Sequence, residues 1–178
     1  MSERTLIIIK PDGVSRGLVG SLLARFERVG LSITQMRLLE ARAEDIRAHY
    51  PPEPEWLLSV GTKTLDDYAR RGLDTAESFG TNDADEIGRV VLSWLHAYLQ
   101  EGPIVLAILD GNDAVAIVRK MVGETLPSNA APGTIRGDYG IDSAPLAALE
   151  RRAVRNLIHA SGSPEEASRE CSLWFGSE

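Results

Sequence analysis

The stretch Arg4–Ile9, with the sequence RTLIII, decides the fold, and Lys10-Pro11-Asp12-Gly13 follows it directly. An unbroken apolar run rich in isoleucine is typical of a strand that is buried on both faces. Proline and glycine favour a turn immediately after such a strand. The pattern therefore predicts a buried strand that ends at Lys10, where the ammonium group of the lysine can reach a cleft.

Further along the chain, apolar periodicity predicts alternating helices and strands. The predicted elements are, in order, a helix from about Leu18 to Val29, a strand at Leu31–Leu39, a short helix from about Ala43 to Tyr50, a strand at Ile104–Leu109, a helix at Ala114–Val122 and a strand at Val154–Ala160. The alternation in the second strand breaks phase near Gln35, which indicates a bulge. The order strand-helix-strand, strand-helix-strand is typical of a ferredoxin-like βαββαβ fold, an α/β sandwich.

The middle of the chain, residues 51–101, has the least familiar pattern. Glycines punctuate it, and we predict two short helices there, at Trp56–Val60 and Leu65–Arg70. Asp83 is a suitable N-cap for a long amphipathic helix that packs on the core. Further along, Pro132 and two glycines, with Pro127 directly in front, predict a loop at Ser128–Asp138.

Length and charge bound the class of protein. A chain of 178 residues with 43% hydrophobic residues suits one compact domain with a core. The net charge is −7, and residues 51–101 supply −6 of it from ten acidic and four basic residues. A basic surface for nucleic acid is therefore not expected. The rest of the chain is nearly neutral and can hold a local positive pocket for phosphates.

Cysteine content and hydropathy bear on the compartment. Cys171 is the single cysteine and cannot form an internal disulfide, which fits a reducing compartment. No apolar run approaches the length of a membrane span, so no membrane partner is expected. The first strand begins within a few residues of Met1, which leaves no room for a signal peptide. These features favour a cytoplasmic protein.

The segment Asn156–Ser161 (NLIHAS) carries the chemistry, because it places His159 at the end of a short apolar run. A strong helix start follows, with Ser163 as N-cap, Pro164 as first helical residue and Glu166 as capping-box partner. Glu170 and a serine two residues after the histidine can each reach a ring nitrogen. A neutral imidazole with one nitrogen held by a hydrogen bond presents the other as a nucleophile. Taken alone, such a histidine is more often a satisfied core or surface residue.

The ordered motifs of the whole chain resemble those of the nucleoside diphosphate kinase family. They are TLIIIKPDGV at Thr5–Val14, HY at His49-Tyr50, GP at Gly102-Pro103, VRKMVGET at Val118–Thr125, PGTIRGD at Pro132–Asp138, NLIHAS at Asn156–Ser161 and LWF at Leu173–Phe175. The set covers both ends of the chain and misses mainly the middle. The sequence contains no Walker A motif and no Gly-x-Gly-x-x-Gly after a strand, so nucleotide binding must use another fold.

The resemblance implies a fold and a domain organisation. The family's fold is a four-stranded antiparallel sheet covered by helices. We expect one nucleoside diphosphate kinase domain over residues 1–178, with a helical insertion at about 51–101 and a second, short insertion at about 143–152. The family forms tetramers or hexamers, so a homo-oligomer is expected.

The resemblance also implies the roles of nine site residues. In the catalytic group, His159 is phosphorylated through Nδ1, and Glu170 holds its other nitrogen. Ser161 bonds that glutamate or lies near the leaving oxygen. Tyr50 touches phosphate and positions the histidine, and Lys10 contacts phosphate and the ribose 3′ hydroxyl. In the nucleotide-binding group, Arg119, Thr125 and Arg136 grip the phosphates and Asn156 bonds the sugar hydroxyl. Arginine suits this task because its planar fork bonds two oxygens at once.

The implied reaction is ping-pong phosphate exchange between ATP or another nucleoside triphosphate and a nucleoside diphosphate. Mg²⁺ is expected to be carried by the nucleotide phosphates, so no protein metal ligand is assigned. Asp12 and Asp138 are expected to shape turns. Two rival functions stay open, a catalytically weak nucleotide-binding regulatory protein and a protein histidine phosphocarrier.

The residue that stacks on the base is not fixed by the resemblance. A gapless alignment from Gly102 places Val91 where the family usually has phenylalanine, and valine cannot stack. Trp56, Phe79 and Trp94 are alternatives, although each favours a place in the core. Stacking and phosphate contacts do not read base edges, so broad base tolerance is expected.

Overall fold

A four-stranded antiparallel sheet with the order β2-β3-β1-β4 forms the centre of the protein. The computed structural model describes residues 2–176. The strands are β1 (Ser2–Ile9), β2 (Ser32–Leu39), β3 (Ile104–Asn112) and β4 (Ile158–Ala160). This order and these pairings confirm the ferredoxin-like fold, in which the last strand lies beside the first.

Ten helices surround the sheet in the described part of the chain. They are α1 (Pro11–Ser15), α2 (Val19–Arg28), α3 (Ala43–His49), α4 (Pro54–Arg70), α5 (Thr75–Phe79), α6 (Ala84–Leu99), α7 (Ala114–Val122), α8 (Ile135–Tyr139), α9 (Ala144–Leu149) and α10 (Pro164–Phe175). A single 3₁₀ turn, Pro127–Asn129, lies between α7 and α8. None of these helices is long and apolar enough to cross a membrane.

The apolar run of β1 is continuous because helices cover both faces of the sheet. Ile7 and Ile9 pack into a core with side chains of α2 and α7. Leu6 and Ile8 point to the opposite face and pack with side chains of α3, α6 and α10. All four are fully buried, as the alternation of side chains along a strand requires when both faces are covered.

Two predicted strands differ in detail from the structure. The bulge in β2 is confirmed, since its register with β3 shifts between Ile33 and Gln35. The last strand is shorter than the predicted Val154–Ala160 and begins at Ile158. The reason is Leu157, whose φ of +69° is incompatible with a strand.

The predicted loop at Ser128–Asp138 contains a helical turn that the sequence analysis missed. Helix α8 begins at Ile135, and the hydroxyl of Thr134 caps it by accepting from the backbone N–H of Gly137. Pro132 and the two glycines suggested a continuous loop. A threonine N-cap in front of Ile135 was the local signal for a helix start.

The prediction of two short helices at Trp56–Val60 and Leu65–Arg70 was wrong, because α4 is one helix of 17 residues. Gly61 does not end a helix but lets α4 and α6 approach each other closely. A Cβ atom at this position would lie 1.8 Å from the carbonyl oxygen of Ala84. Gly88 of α6 plays the same part, with a Cβ position 2.2 Å from the carbonyl oxygen of Leu57.

Replacing Gly61 with alanine is therefore expected to destabilise the protein by about 1–3 kcal/mol, the usual range for overpacking. Denaturant unfolding of Gly61→Ala and of a control, Gly20→Ala, measures the effect. Gly20 lies in α2 with open space around its Cβ position, so its replacement is expected to stabilise by about 0.4–1 kcal/mol. Equal stability changes in the two variants would contradict the close packing of α4 against α6.

Candidate active site

His159 lies in the middle of β4, opposite Ile8 of the central strand, and its side chain is 11% exposed. The chain then turns into α10, where the Ser163 hydroxyl accepts from the backbone N–H of Glu166, as the capping pattern predicts. The Glu166 carboxylate accepts from Gly162, one residue before the N-cap. This fixed helix start sets the direction of α10, so that Glu170 faces the histidine ring.

Both nitrogens of the His159 ring have defined partners. Nε2 lies 3.0 and 2.9 Å from the two carboxylate oxygens of Glu170, and the Ser161 hydroxyl donates to the same carboxylate at 2.6 Å. Nδ1 lies 3.2 Å from the hydroxyl oxygen of Tyr50. A carboxylate next to Nε2 favours the tautomer with its proton there, which leaves a lone pair on Nδ1. The ring is thereby oriented with Nδ1 as its nucleophilic atom.

A second histidine lies beside the first, although the sequence motif that contains it gave it no role. His49 is fully buried at the end of α3, and its ring centroid lies 4.5 Å from that of His159 in an edge-to-face arrangement. Its Nδ1 accepts from the Trp174 indole at 3.3 Å and lies 3.5 Å from Glu170. Its Nε2 has no hydrogen-bond partner among the described residues. A histidine directly before Tyr50 at a buried helix end was the available signal.

Burial is the main influence on the pKa values of His159, Tyr50 and Glu170. Burial, then the charge of Lys10, lowers the pKa of His159, so its imidazole is neutral at neutral pH. Burial raises the pKa of Tyr50, whose hydroxyl therefore stays protonated and can donate to Nδ1. Burial also raises the pKa of Glu170, against the opposing effects of His49 and the Ser161 hydrogen bond. Ser161, Glu170 and His159 thus form one hydrogen-bonded group that is largely buried.

Lys10 is almost completely buried at the end of β1. Its ammonium donates to the Asn156 side-chain oxygen at 2.8 Å and lies 5.3 Å from the centre of the Tyr98 ring. Burial, then the charge of Arg136, lowers the pKa of Lys10 to about 7. The unfolded chain keeps this proton up to the ordinary value of 10.5, so stability rises with pH between these two values. A lysine held in this way can bind an anion such as a phosphate, which favours its charged form.

Arg136 is buried beneath the histidine strand and donates to three backbone carbonyls. Its Nε bonds the carbonyl of Asn156 at 3.2 Å, and its two terminal nitrogens bond those of Gly123 at 2.9 Å and Ile158 at 2.6 Å. Burial, then the charge of Arg119, lowers the pKa of Arg136 to about 10, which leaves it charged at neutral pH. Arg136 therefore ties the loop after α7 to the segment before His159.

The remaining predicted phosphate-binding residues lie around this buried centre. Arg119 is exposed on α7 and approaches the carbonyl of Ala160 at 3.5 Å. Thr125 is also exposed, and its carbonyl accepts from the side-chain amide of Asn156 at 3.0 Å. Asn156 thus joins Lys10 on one side and the Thr125 loop on the other. All nine predicted residues belong to one connected region of the structure.

A tight turn at Leu157 sets the direction in which strand β4, with His159, begins. The N–H of Ile158 bonds the carbonyl of Asn156 at 2.8 Å, which makes a three-residue γ-turn around Leu157 with its positive φ. Asp12 holds this turn, because its carboxylate accepts from the Leu157 N–H at 3.2 Å and from the Tyr98 hydroxyl. Asp12 was expected to shape a local turn, and it also holds the segment that leads into the neighbouring strand β4.

Asp138 and the three aromatic candidates are placed as follows. Asp138 accepts from the Gly133 N–H at 2.7 Å and pairs with Arg25, so it does shape its own loop. Trp56 is half-buried, and its ring lies 6.1 Å from that of Tyr50 beside the site. Phe79 and Trp94 are half-buried and pack on each other with ring centroids 5.5 Å apart. Of these three, Trp56 is the one in ring contact with a predicted catalytic residue.

Comparisons with known proteins agree with this geometry. The family model for nucleoside diphosphate kinase matches residues 3–55 and 76–178. A nucleoside diphosphate kinase of Pyrobaculum aerophilum is 52% identical over 99% of this chain and 96% of its own length. One from Archaeoglobus fulgidus is 36% identical over 99% of this chain and 88% of its own length.

Solved structures give the same result. An NDP kinase from Pyrobaculum aerophilum superposes with a TM-score of 0.92 at 50% identity, covering 98% of this chain and 96% of the other. A nucleoside diphosphate kinase from Borrelia burgdorferi, with bound vanadate and ADP as a transition state mimic, gives 0.76 at 31% identity, covering 98% and 87%. With this match in sequence and fold, the chain belongs to the nucleoside diphosphate kinase family.

Proposed function

We propose that this chain is a nucleoside diphosphate kinase that transfers the terminal phosphate of a nucleoside triphosphate to a nucleoside diphosphate through a phosphohistidine on His159. The observation that carries the proposal is the ring itself, with Nε2 held by Glu170 and a lone pair on Nδ1 beside buried cations. The relative from Borrelia burgdorferi, solved with vanadate and ADP, supports a nucleotide site in this fold.

The chemical steps follow from the orientation of the ring. Nδ1 attacks the terminal phosphorus in line, a P–N bond forms, and the bond to the bridging oxygen breaks so that its electrons leave with the diphosphate. The positive charge that develops on the ring is balanced by the Glu170 carboxylate at Nε2. A second nucleoside diphosphate then takes the phosphoryl group through its own terminal oxygen. This is nucleophilic catalysis in two similar half-reactions.

The surrounding residues neutralise charge and position the groups. We assign charge stabilisation of the transferring phosphoryl group to Lys10, Arg119 and Arg136, which surround the histidine strand. Thr125 adds a hydroxyl donor at the phosphates, and Asn156 is assigned to the sugar hydroxyl. Tyr50 donates to Nδ1 until substrate arrives, and Ser161 keeps Glu170 in place through its 2.6 Å hydrogen bond.

Mg²⁺ fits this site only when it is bound by the phosphates of the nucleotide. The one described group with metal-ligand spacing is His49, His159 and Glu170, whose ligand atoms lie within 4.8 Å of one another. Two imidazoles and one carboxylate suit transition metals rather than Mg²⁺, which prefers oxygen ligands. Bound through the phosphates, Mg²⁺ would neutralise charge on the leaving diphosphate. We therefore propose no protein ligand for it.

Nucleotide binding is expected to take up a proton through Lys10. Because its pKa is about 7 in the ligand-free protein, Lys10 is mostly neutral at pH 8.5, and a phosphate beside it favours the charged form. Titration calorimetry of ADP in buffers of different ionisation enthalpy should show an uptake approaching about one proton per chain. The Lys10→Met variant should lose that uptake. Equal uptake in both proteins would show that another group titrates.

We further propose one domain over residues 1–178, with the helical insertion at about 51–101 and the short insertion at about 143–152. In support of an insertion within the first stretch, the family model leaves residues 56–75 unmatched, which fall mostly within α4, while it matches residues 51–55 and 76–101. Helix α9 occupies most of the second stretch. A cytoplasmic location is also proposed, supported by the single cysteine.

A homo-oligomer, tetramer or hexamer, is proposed as the assembly. Strand β2 lies at the edge of the sheet in the described chain, and Met36 and Leu38 on it are 56% and 67% exposed. Unpaired backbone groups and apolar side chains on an edge strand favour pairing with another chain. Sedimentation analysis tests the assembly, and a monomer at micromolar concentration would contradict it.

A coupled assay of diphosphate formation tests the function itself. Purified protein with ATP and a second nucleoside diphosphate should form the corresponding triphosphate, with parallel initial-rate plots that indicate ping-pong kinetics. A regulatory protein would bind nucleotide without turnover. A histidine phosphocarrier would become labelled by ATP yet fail to pass the label to a nucleoside diphosphate.

A further inference from the structure

The end of helix α4 contacts the loop that carries Thr125. Most of α4 belongs to the stretch 56–75 that the family model leaves unmatched. Ser128 and Asn129 lie in the 3₁₀ turn three and four residues after Thr125. Four side chains, Asp67, Arg71, Ser128 and Asn129, meet there, and we call them the loop anchor.

The hydrogen bonds of the loop anchor cross between the two segments. The Asp67 carboxylate accepts from the Asn129 amide at 3.1 Å and from Arg71 Nε at 2.9 Å. Arg71 in turn donates to the Ser128 hydroxyl at 2.9 Å and to the Asn129 side-chain oxygen at 3.2 Å. Both polar atoms of the Asn129 side chain are therefore bonded to the C-terminal end of α4, one to Asp67 and one to the C-cap residue Arg71. The geometry is that of a closed ring of donors and acceptors rather than a single exposed ion pair.

Burial makes this ring sensitive to the loss of any member. The Asp67 side chain is 2% exposed. Burial acts to raise its pKa, but hydrogen bonds from Arg71 and Asn129 outweigh that effect and lower it. A buried carboxylate that loses its partners is strongly disfavoured, so the loop is held to α4 by a contact that does not open easily.

The loop has a second attachment on its other side. The Asn156 amide donates to the carbonyl of Thr125 at 3.0 Å, from the segment that leads into His159. Thr125 itself is exposed and lies in the short irregular stretch between α7 and the 3₁₀ turn. Arg136 holds the start of the same loop at Gly123, and the Ser128 N–H bonds the carbonyl of Asp142 at 3.2 Å. The side-chain contact to α4, through Ser128 and Asn129, is added to these attachments on the far side of Thr125.

We propose that the loop anchor is a positioning device by which α4 holds the Thr125 loop in the geometry that binds the nucleotide phosphates. This inference rests on the proposed function, because it assigns a purpose to the unmatched helix at the same site. A loop that is already ordered loses less conformational freedom when a nucleotide binds, so the anchor increases nucleotide affinity. The anchor residues touch neither His159 nor its partners, and the phosphoryl step itself should be nearly unaffected.

Three variants test the anchor, namely Asn129→Ala, Asp67→Asn and the double variant. Each single replacement should raise the KM for the nucleoside diphosphate and the Kd for ADP about tenfold, while kcat stays within about twofold. The double variant should be no worse than the worse single one, because both remove the same attachment. Arg89→Gln is the matched control, since it breaks an exposed arginine-aspartate pair on α6 away from the loop.

The outcomes separate the anchor from general stability and from the proposed function. Unfolding curves identify any variant that fails to fold. If Asp67→Asn does not fold, Asn129→Ala on the surface loop still tests the anchor. Unchanged KM and Kd in a folded Asn129→Ala protein would overturn the anchor, as would additive losses in the double variant. Absence of phosphotransfer in the wild type would instead contradict the proposed function. The calorimetric Kd for ADP in the wild type and the variants would still test the anchor.

Discussion

Replacing His159 with alanine is expected to abolish phosphate transfer while leaving nucleotide binding nearly intact. The ring is the one nucleophile in the described site, so a factor of at least about 10⁴ in kcat should be lost. Lys10, Asn156 and Arg136 contact each other or the backbone and do not depend on the imidazole for their positions. Steady-state kinetics and ADP calorimetry on the same preparation measure the two effects.

The control for this variant is His96→Asn. His96 lies on α6, and its Nε2 bonds the backbone carbonyl of Tyr50 at 2.9 Å. Asparagine offers an N–H to the same carbonyl, so turnover should stay within about twofold of the wild type. If the turnover of His159→Ala is close to that of this control, the proposed covalent mechanism is wrong.

Replacing Arg136 with alanine is expected to reduce both activity and stability. The side chain donates to three buried or half-buried carbonyls around the histidine segment. Losing it removes this donor from the carbonyls of Gly123 and Ile158, while the Asn156 carbonyl keeps its hydrogen bond from the Ile158 N–H. We expect a loss of about 3 kcal/mol in unfolding free energy, because each unsatisfied group costs about 1–3 kcal/mol and water repairs some of them. Turnover should fall by about 10²–10³, the usual effect of removing one charged donor from a transition state.

Arg25→Ala is the comparison for that measurement. Arg25 pairs with Asp138 on the outer side of the same loop, at 2.6 Å and with both side chains partly exposed. Such a pair contributes about 0–1 kcal/mol, and turnover should not change. If Arg136→Ala loses less than tenfold in turnover, or unfolds like Arg25→Ala, then Arg136 is neither a charge stabiliser nor a tie between the two segments.

Local patterns in the sequence predicted most of the sheet, and the ordered family motifs implied the site residues. The apolar run before Lys10 was sufficient for the central strand, because a strand covered on both faces must be apolar at every position. The capping residues Ser163 and Pro164 located the start of α10, and helix geometry then placed Glu170 beside His159. These inferences succeeded because each depends on residues close together in the chain.

Features that depend on distant residues were missed. Gly61 resembled a helix end, and only the approach of Ala84 shows that it serves helix packing. The turn at Leu157 is held by Asp12 from the other end of the chain, which no spacing in the sequence reveals. The contact between Asp67 and Asn129 joins residues 62 positions apart in the same way. In each of these cases, contacts between distant residues determine the structure, and local sequence patterns do not.

The most direct test is to incubate the protein with γ-labelled ATP in the absence of an acceptor and to map the label. The account predicts a covalent, acid-labile phosphate on His159, formed at a rate at least equal to turnover and discharged when a nucleoside diphosphate is added. The other two histidines, His49 and His96, should carry none. No label, label on another residue, or label that a nucleoside diphosphate cannot discharge would contradict the account.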